Sequence, residues 1–332
     1  MTQVPDVAVV ITAHNAAGTI ADCLRALARQ EGVAAGTVEI VVVDDRSDDG
    51  TADVAAEAGG PGVRILRVSG EPDVPWTTRQ VALDLGIRHT AAPVVCLLDA
   101  DACPDPGWLR FTLDGLQASH ADVWTAPVRF RGSHWWLPAF QTVDAAFYLT
   151  WCRGLTRAGL AAGMLFGNAA FTRRAHDTIG GVGACGLALN EDLAFARAAH
   201  HAGLRLAFGH RALVSVGAAG SIQAFVTRAL RTSAGGPSVL LASLSVWLLA
   251  LPLLATAAWT TGATVWIGAF VARAAAGMAF TFTAACRAVT GTGSHVIMAV
   301  CYEPIVLVLG AAVLGAAQVR RRVTWGGRQY PR

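Results

Sequence analysis

The chain has 332 residues, 54% of them apolar and 15% charged, with a net charge of +3 and a mean hydropathy of +0.46. All 26 basic residues are Arg, which excludes Schiff-base and P-loop lysine chemistry, and so small a net charge excludes a nucleic-acid partner. The seven cysteines (Cys23, Cys96, Cys103, Cys152, Cys185, Cys286, Cys301) show no CxxC spacing and are odd in number, so they read as reduced cytoplasmic thiols rather than a zinc or disulfide framework.

The apolar excess is uneven. No charge lies between Arg231 and Arg273, and from Pro237 to the tail the charges are Arg273, Arg287 and Glu303. The chain therefore divides into a soluble domain at 1–232, a helical membrane region at 233–319 and a basic tail at 320–332. Residues Met1 to Asp6 are polar and the next apolar run is short, which predicts no signal peptide.

In chain order, "VAVVITAHN" (7–15) reads as a buried strand ending in His14-Asn15. "AGTIADCLRALARQ" (17–30) has helical spacing, with Ile20, Leu24 and Leu27 on one face. A second strand, "VEIVVVDDRSDDGT" (38–51), ends in Asp44-Asp45. A helix (51–59), a strand (62–69) and another helix (78–90) follow. A buried run from Val94 to Leu98 then ends in two acids one residue apart, Asp99 and Asp101. Alternating strands and helices predict an α/β fold with a mostly parallel sheet, and such sheets bind ligands beyond the carboxyl ends of their strands. All three polar clusters fall at those ends. Two carboxylates on a tight strand exit suit a hard divalent ion that also takes substrate phosphate oxygens. The alternative is that Asp99 and Asp101 merely cap the loop before Trp108.

These stretches together resemble the family 2 glycosyltransferases of GT-A (Rossmann-like) fold. "VVITAHNAAGTIADCLRAL" is similar to their first strand–helix unit and "VVVDDRSDDGT" to their second strand and acidic turn. "LLDADACPDPGWL" is similar to their metal motif, "GNAAFTRRAHDTIGG" (167–181) to an acceptor-side stretch, and "NED" (190–192) to their catalytic acid motif. The resemblance runs from about residue 7 to 232. It implies a membrane-bound, inverting, metal-dependent hexosyltransferase. Asp45, with Asp44 beside it, would meet the base or ribose, and Ala13, His14 and Asn15 would approach the base. Asp99 would contact the ribose or diphosphate, and Asp101, with Asp99, would hold Mg²⁺ or Mn²⁺. Asp192, with Glu191 beside it, would supply the general base. The bland reading of Glu191-Asp192 is a pair of acids in the first turn of a helix, which is compatible with catalysis.

Three departures are visible. Ala16 stands where the family often has Glu, and Arg79, a donor-binding residue by the resemblance, stands where the family usually has Lys, which keeps charge but changes geometry. "RALRT" offers Arg228 and Arg231 to a donor diphosphate but has Thr232 in place of the family's Trp. The alternative for these two arginines is snorkelling at a membrane surface.

The aromatic stretch "RFRGSHWWLPAFQTVDAAFYLTW" (129–151) predicts a helix from Leu137 to Trp151 with Phe140, Val143, Phe147 and Trp151 on one side. It reads as core or interface, with an amphipathic element guiding a lipid acceptor as the alternative. Gln141 and Asp144 loosely resemble a family position facing the acceptor. No grouping of His134, His176, His200, His201 and His210 predicts a metal site.

Three apolar segments follow, near 237–259, 262–285 and 294–318, each long enough to span a bilayer. A cytosolic nucleotide-sugar donor and the Arg320–Arg322 cluster both place their segments inside the cell. These premises require an even number of crossings in an inner-membrane, multi-pass protein. The Arg273 segment is the expected non-crossing one, with Glu303 as partner to its charge. The function expected is transfer from a nucleotide-diphosphate sugar, UDP-linked, to a lipid or pigment alcohol. The alternatives are a polysaccharide synthase subunit and an inactive membrane scaffold.

Overall fold

A computed structural model describes residues 5–34, 36–70, 74–232, 239–288, 293–319, 322–325 and 328–331. Side chains within 231–241, 287–292, 311–312 and 314–329 are not among those described, so the side chain of Arg231, the boundary at 232–233 and Arg320 and Arg321 lie outside this account.

The first half alternates as its patterning predicts: β1 (Val7–Ala13), α1 (Ile20–Ala28), β2 (Val38–Asp44), α2 (Thr51–Gly59), β3 (Val63–Arg67), α3 (Thr78–Arg88) and β4 (Val94–Asp99). Then come β5 (Cys103–Pro104), α4 (Trp108–Ala118), β6 (Val123–Thr125), β7 (Val128–Arg131), α5 (Leu137–Arg157), β8 (Asn168–Thr172), α6 (Arg173–Ile179) and α7 (Glu191–His201). The chain continues through β9 (Leu206–Phe208), β10 (Val214–Gly217), α8 (Ile222–Thr232), α9 (Val239–Thr261), α10 (Thr264–Ala288), α11 (Gly293–Val319), β11 (Arg322–Trp325) and β12 (Arg328–Pro331).

Among the described residues the main sheet has seven strands in the order β3-β2-β1-β4-β8-β6-β9. The β1, β2, β3 and β4 pairings are parallel, while β8 runs antiparallel to both β4 and β6. Register aligns the strand ends: Ala13 pairs with Asp44 and Thr12 with Asp99. That alignment, set by burial of Val, Ile and Leu on both faces of β1, β2 and β4, brings three polar loops to one edge. A second sheet, β5-β10-β7, lies beyond that edge. Sequence reading missed it, because its strands are two to four residues long and carry no period-2 pattern to read.

Helix α3 is fixed at its start by a capping box. Thr77 Oγ1 accepts from Gln80 N at 3.2 Å and Gln80 Oε1 accepts from Thr77 N at 3.0 Å. It packs close on the sheet because Gly86 has no Cβ; one added there would stand 2.5 Å from Val10 Cγ1.

Helix α5 joins the two halves. Phe140, Val143 and Phe147, all buried, meet Met298, Ala299 and Tyr302 of α11 and Ala285 of α10. Each large apolar side chain removed from water there contributes roughly 1.5–3 kcal/mol. The aromatic stripe read from the sequence is thus the interface between the α/β domain and the apolar helices.

Helices α9, α10 and α11 have 23, 25 and 27 residues, and all three are long and apolar enough to cross a membrane. Their charges pair. The Arg273 guanidinium lies 3.1 Å from Glu303 Oε1, donates to Trp247 O at 2.7 Å and covers the Trp247 ring at 3.7 Å. Trp247 Nε1 donates to Glu303 Oε1 at 2.8 Å. The expected Arg273–Glu303 partnership is present and ties the three helices together. Removing one member of such a pair leaves a buried charge alone. Arg273→Ala should therefore destabilise the full-length protein by about 3–5 kcal/mol, and Arg273→Leu with Glu303→Leu should recover most of that. Thermal unfolding in detergent measures both; equal stability of Arg273→Ala and wild type would refute the role given to the pair.

Candidate functional site

The loops after β1 and β2 at the sheet edge are laced to each other. Asn15 N donates to Ser47 Oγ at 2.9 Å, Asp48 N to Asn15 Oδ1 at 3.0 Å, and Ala16 N to Thr51 Oγ1 at 2.8 Å. The His14 ring Nδ1 lies 2.7 Å from Asp45 O. Asn15 and Arg46 both take positive φ, 50° and 57°, to make these turns.

Beyond this edge lies a cleft of about 890 Å³. Ala13, His14, Asn15, Asp45, Arg79, Asp99, Asp101, Glu191, Asp192 and Arg228 all line it. The sequence-predicted residues therefore converge, with two qualifications. Asp44 is not part of the lining: its Oδ1 accepts from Ser47 N at 3.3 Å and shapes the turn. Arg231 sits on α8, with its side chain outside the described ones.

Arg79 is the electrostatic centre. Its NH2 lies 2.5 Å from Asp99 Oδ1 and its Nε 2.7 Å from Glu191 Oε1, the latter an ion pair at an angle that makes no hydrogen bond. Burial works against the Arg79 charge, but Asp99 and Glu191 outweigh it and hold the guanidinium above its ordinary pKa. Glu191, buried, is thus turned to Arg79, whereas Asp192 is half-buried at the start of α7, its Oδ1 accepting from Leu193 N at 2.7 Å. Both acids occupy the first turn of α7, as the bland reading has it, and both still face the cleft. Asp45 is paired with Arg46.

Asp101 follows Asp99 through a tight turn closed by Ala102 N to Asp99 O at 3.0 Å. Burial and then the Asp99 charge push its carboxyl above the usual range, with Arg228 and Arg79 pulling the other way. Among the described residues no set of three His, Cys, Asp or Glu side chains could hold a metal by itself. The lining nevertheless carries six carboxylates (Asp45, Asp99, Asp101, Asp144, Glu191, Asp192) against two guanidiniums (Arg79, Arg228). A negatively charged ligand entering here needs a cation, and two carboxylates completed by ligand oxygens suit Mg²⁺ or Mn²⁺. The donor set fits a hard divalent ion at Asp99 and Asp101.

Two supporting residues were missed in the sequence. Gly167 admits Asp99, since a Cβ there would stand 2.6 Å from Asp99 Oδ2. Asn168, fully buried, accepts from Trp108 Nε1 at 2.9 Å and donates to Pro127 O and Ala212 O, both at 2.8 Å. It joins β8 to the second sheet behind the cleft. The Gly-Asn of "GNAAF" is the signal that could have found them: a glycine beside a buried amide marks a close approach.

At its far end the cleft is apolar. Phe225 of α8, Leu244 and Leu248 of α9 and Val306 of α11 line it, with Tyr302. Gln141 and Asp144 of α5 also face it, as the sequence placed them.

Comparison with known proteins agrees with the geometry. Residues 8–179 match the family described as Glycosyl transferase family 2, and residues 94–313 the one described as Glycosyl transferase family group 2. The chain is 34% identical over 121 residues to the succinoglycan biosynthesis protein ExoO of Rhizobium meliloti, covering 36% of this chain and 32% of that one. It is 30% identical over 116 residues to the probable glycosyltransferase YdaM of Bacillus subtilis, covering 35% and 27%. The matched stretch thus spans about a third or less of these curated relatives. Among solved structures, the mannosyltransferase PcManGT from Pyrobaculum calidifontis, in complex with GDP-Man and Mn²⁺, superposes with a TM-score of 0.50 at 18% identity. That match covers 96% of this chain and 76% of the other, and it supports the expected GT-A fold.

Because Asp99 depends on the missing Cβ at 167, Gly167→Ala should displace its carboxylate. Affinity for nucleoside diphosphate, measured by calorimetry, should fall about tenfold (~1.4 kcal/mol) with the circular dichroism spectrum unchanged. Unaltered affinity would show that Asp99 tolerates the shift.

Proposed function

Since the chain belongs to glycosyltransferase family 2, we propose that it transfers a sugar, with inversion, from a nucleotide-diphosphate donor to the hydroxyl of a membrane lipid. One observation carries this reading. A single cleft runs from Asp45, Asp99, Asp101 and Asp192 at the sheet edge to Leu244, Leu248 and Val306 on the apolar helices. A nucleotide sugar enters from water and a lipid from the bilayer, and the cleft offers each its own solvent.

In this mechanism the His14–Asn15 and Asp45 loops hold the nucleoside. Arg228 faces the diphosphate. Arg79, neutralised by Asp99 and Glu191, fixes the two carboxylates rather than binding phosphate. A Mg²⁺ or Mn²⁺ held by Asp101 and Asp99, as the donor set allows, would neutralise the leaving diphosphate. Asp192 accepts the proton of the acceptor hydroxyl as its oxygen attacks the anomeric carbon. The bond from anomeric carbon to phosphate oxygen breaks on the opposite face, its electron pair leaves with the diphosphate, and the new glycosidic bond has inverted configuration. The Mn²⁺ and GDP-Man held by the PcManGT structure support a metal-assisted nucleotide-sugar reaction in this fold. UDP is the expected nucleotide. The match to ExoO supports a second reading, in which the lipid carries a growing exopolysaccharide.

The catalytic domain is assigned to the cytoplasmic face of the inner membrane, where nucleotide sugars are made. Packing supports two crossings. Helices α9 and α10 meet at Gly262–Ala263, and Leu253, Trp259, Val265, Trp266 and Ile267 near that end are exposed, as lipid-facing residues are. Helix α5 packs on both α10 and α11, and α11 in addition lies against α8 of the α/β domain. After it, Tyr330 is buried, its hydroxyl accepting from Thr78 N at 3.2 Å. A tail seated on α3 is on the same side as the catalytic domain. The even number of crossings expected from the sequence is kept, but α11 rather than the Arg273 helix is the one assigned to lie at the interface.

Two outcomes are expected. Asp192→Asn should retain UDP affinity and lose at least ~10²-fold in turnover, read as labelled sugar entering the lipid extract from a panel of nucleotide sugars. Excess EDTA should abolish the same transfer, and full turnover in chelator would sink the metal assignment. For topology, single-cysteine variants Ala263→Cys and Arg332→Cys should label oppositely. The first should react in intact cells and the second only after permeabilisation; a tail reactive from outside would restore three crossings.

A further inference from the structure

Helix α5 presents Gln141, Asp144, Ala145 and Tyr148 to the cleft, at spacings of three, four and seven that place them on one face. Each end of this row touches the proposed machinery. Gln141 Oε1 accepts from Arg228 NH1 at 3.3 Å and from Ala219 N at 3.0 Å. At the other end Tyr148 lines the cleft together with Asp192; burial and then Cys152 and Asp192 push its phenol above the usual range. By helical rise Asp144 lies about 4.5 Å along the axis from Gln141 and about 6 Å from Tyr148. It therefore stands between the diphosphate cation and the general base, on the acceptor side.

Phe147 on the same helix as Asp144, Phe225, Leu244, Leu248 and Val306 line the same cleft. Among the described residues the Asp144 carboxylate accepts one hydrogen bond, from the Tyr302 hydroxyl at 2.7 Å. Tyr302 is itself buried, its ring 4.8 Å from Phe147 and 5.8 Å from Phe140, so its hydroxyl is aimed rather than mobile. A carboxylate has about four acceptor positions. Placing one in apolar surroundings with a single donor costs stability that an apolar residue would not cost. Burial accordingly raises the Asp144 carboxyl, with the Tyr302 hydrogen bond opposing. Neither the fold nor the donor chemistry uses its remaining capacity.

We propose that Asp144, aimed by Tyr302, is the specificity residue of the acceptor site and accepts a hydrogen bond from a second hydroxyl of a polyol head group whose reacting hydroxyl faces Asp192. The acceptor is then a lipid with a polyhydroxy head rather than a single-hydroxyl alcohol. This rests on the lipid-acceptor reading above. Asp144 takes no part in bond making; it selects and orients.

The full-length enzyme in vesicles, given labelled nucleotide sugar, tests this with two added acceptors, octyl β-glucoside and dodecanol. Wild type should prefer the glucoside. Asp144→Asn should raise KM for the glucoside by about tenfold, with kcat little changed and dodecanol transfer unaffected. UDP affinity and the slow hydrolysis of donor by water should match wild type, which shows that the fold and donor site are intact. Tyr302→Phe, which keeps the carboxylate but frees it, should give a smaller KM rise. A wild-type preference for dodecanol, or an Asp144→Asn enzyme with unchanged KM for the glucoside, would overturn the assignment. Loss of UDP binding in Asp144→Asn would overturn it too, by making the residue structural. If wild type hydrolyses donor but passes label to neither alcohol nor any vesicle lipid, the underlying reading fails and the proposal with it.

Discussion

The cleft depends on one guanidinium. Arg79 leaves the first turn of α3 and lies between Asp99, at the end of β4, and Glu191, at the start of α7. These carboxylates come from residues far apart in sequence, and neither is stable half-buried without a cation. A single Arg satisfies both and so fixes the distance between β4, whose exit turn carries Asp101, and the helix that carries Asp192. The pairing is two negative charges to one positive, so the site keeps a net negative charge that a divalent ion suits. The planar, forked guanidinium can reach two carboxylates at once through Nε and NH2, which a lysine ammonium could do only as a point charge. The Arg at 79 is therefore a working feature of this chain.

Helix α5 is the second organising element. One of its faces is packed on α10 and α11 through Phe140, Val143 and Phe147. Its cleft face carries Gln141, Asp144 and Tyr148. The same helix thus sets the position of the apolar helices and of the polar row that lines the cleft. Gln141 extends this link to α8 by holding Arg228, and Thr142 to β7 by accepting from Phe130 N at 2.9 Å. Because all these contacts are made by one rigid element, a shift of the apolar helices relative to the α/β domain would open the apolar end of the cleft and disturb Arg228 together.

Much of the fold was legible. Continuous β-branched runs marked β1, β2 and β4, and their acids fell where the register placed them. The apolar helices were legible from length alone, and the Arg273–Glu303 pair from the cost of a charge in lipid. The helix at 137–151 was read correctly in position and face, though it runs on to Arg157. Strands β5, β7 and β10 were not read, since two to four residues offer no period. The separate fates of Asp44 and Asp45 were also hidden, because adjacent residues in a strand point to opposite faces and only the register says which face is the cleft.

By itself the sequence determined composition, periodicity and local chemistry: an α/β domain with acids at strand ends, an aromatic helix and three apolar segments. These follow from interactions within a few residues or from the bulk preference of a segment for water or lipid. Apart from Arg273 and Glu303, only the tertiary structure decided which charges meet. Arg79 turned out to hold Asp99 and Glu191, Asp144 to face Tyr302 across 158 residues, and Tyr330 to return to Thr78 across 252. Such partners are chosen by how strands order and helices pack, which brings distant residues within a few ångströms, and no local pattern in the chain carries that distance.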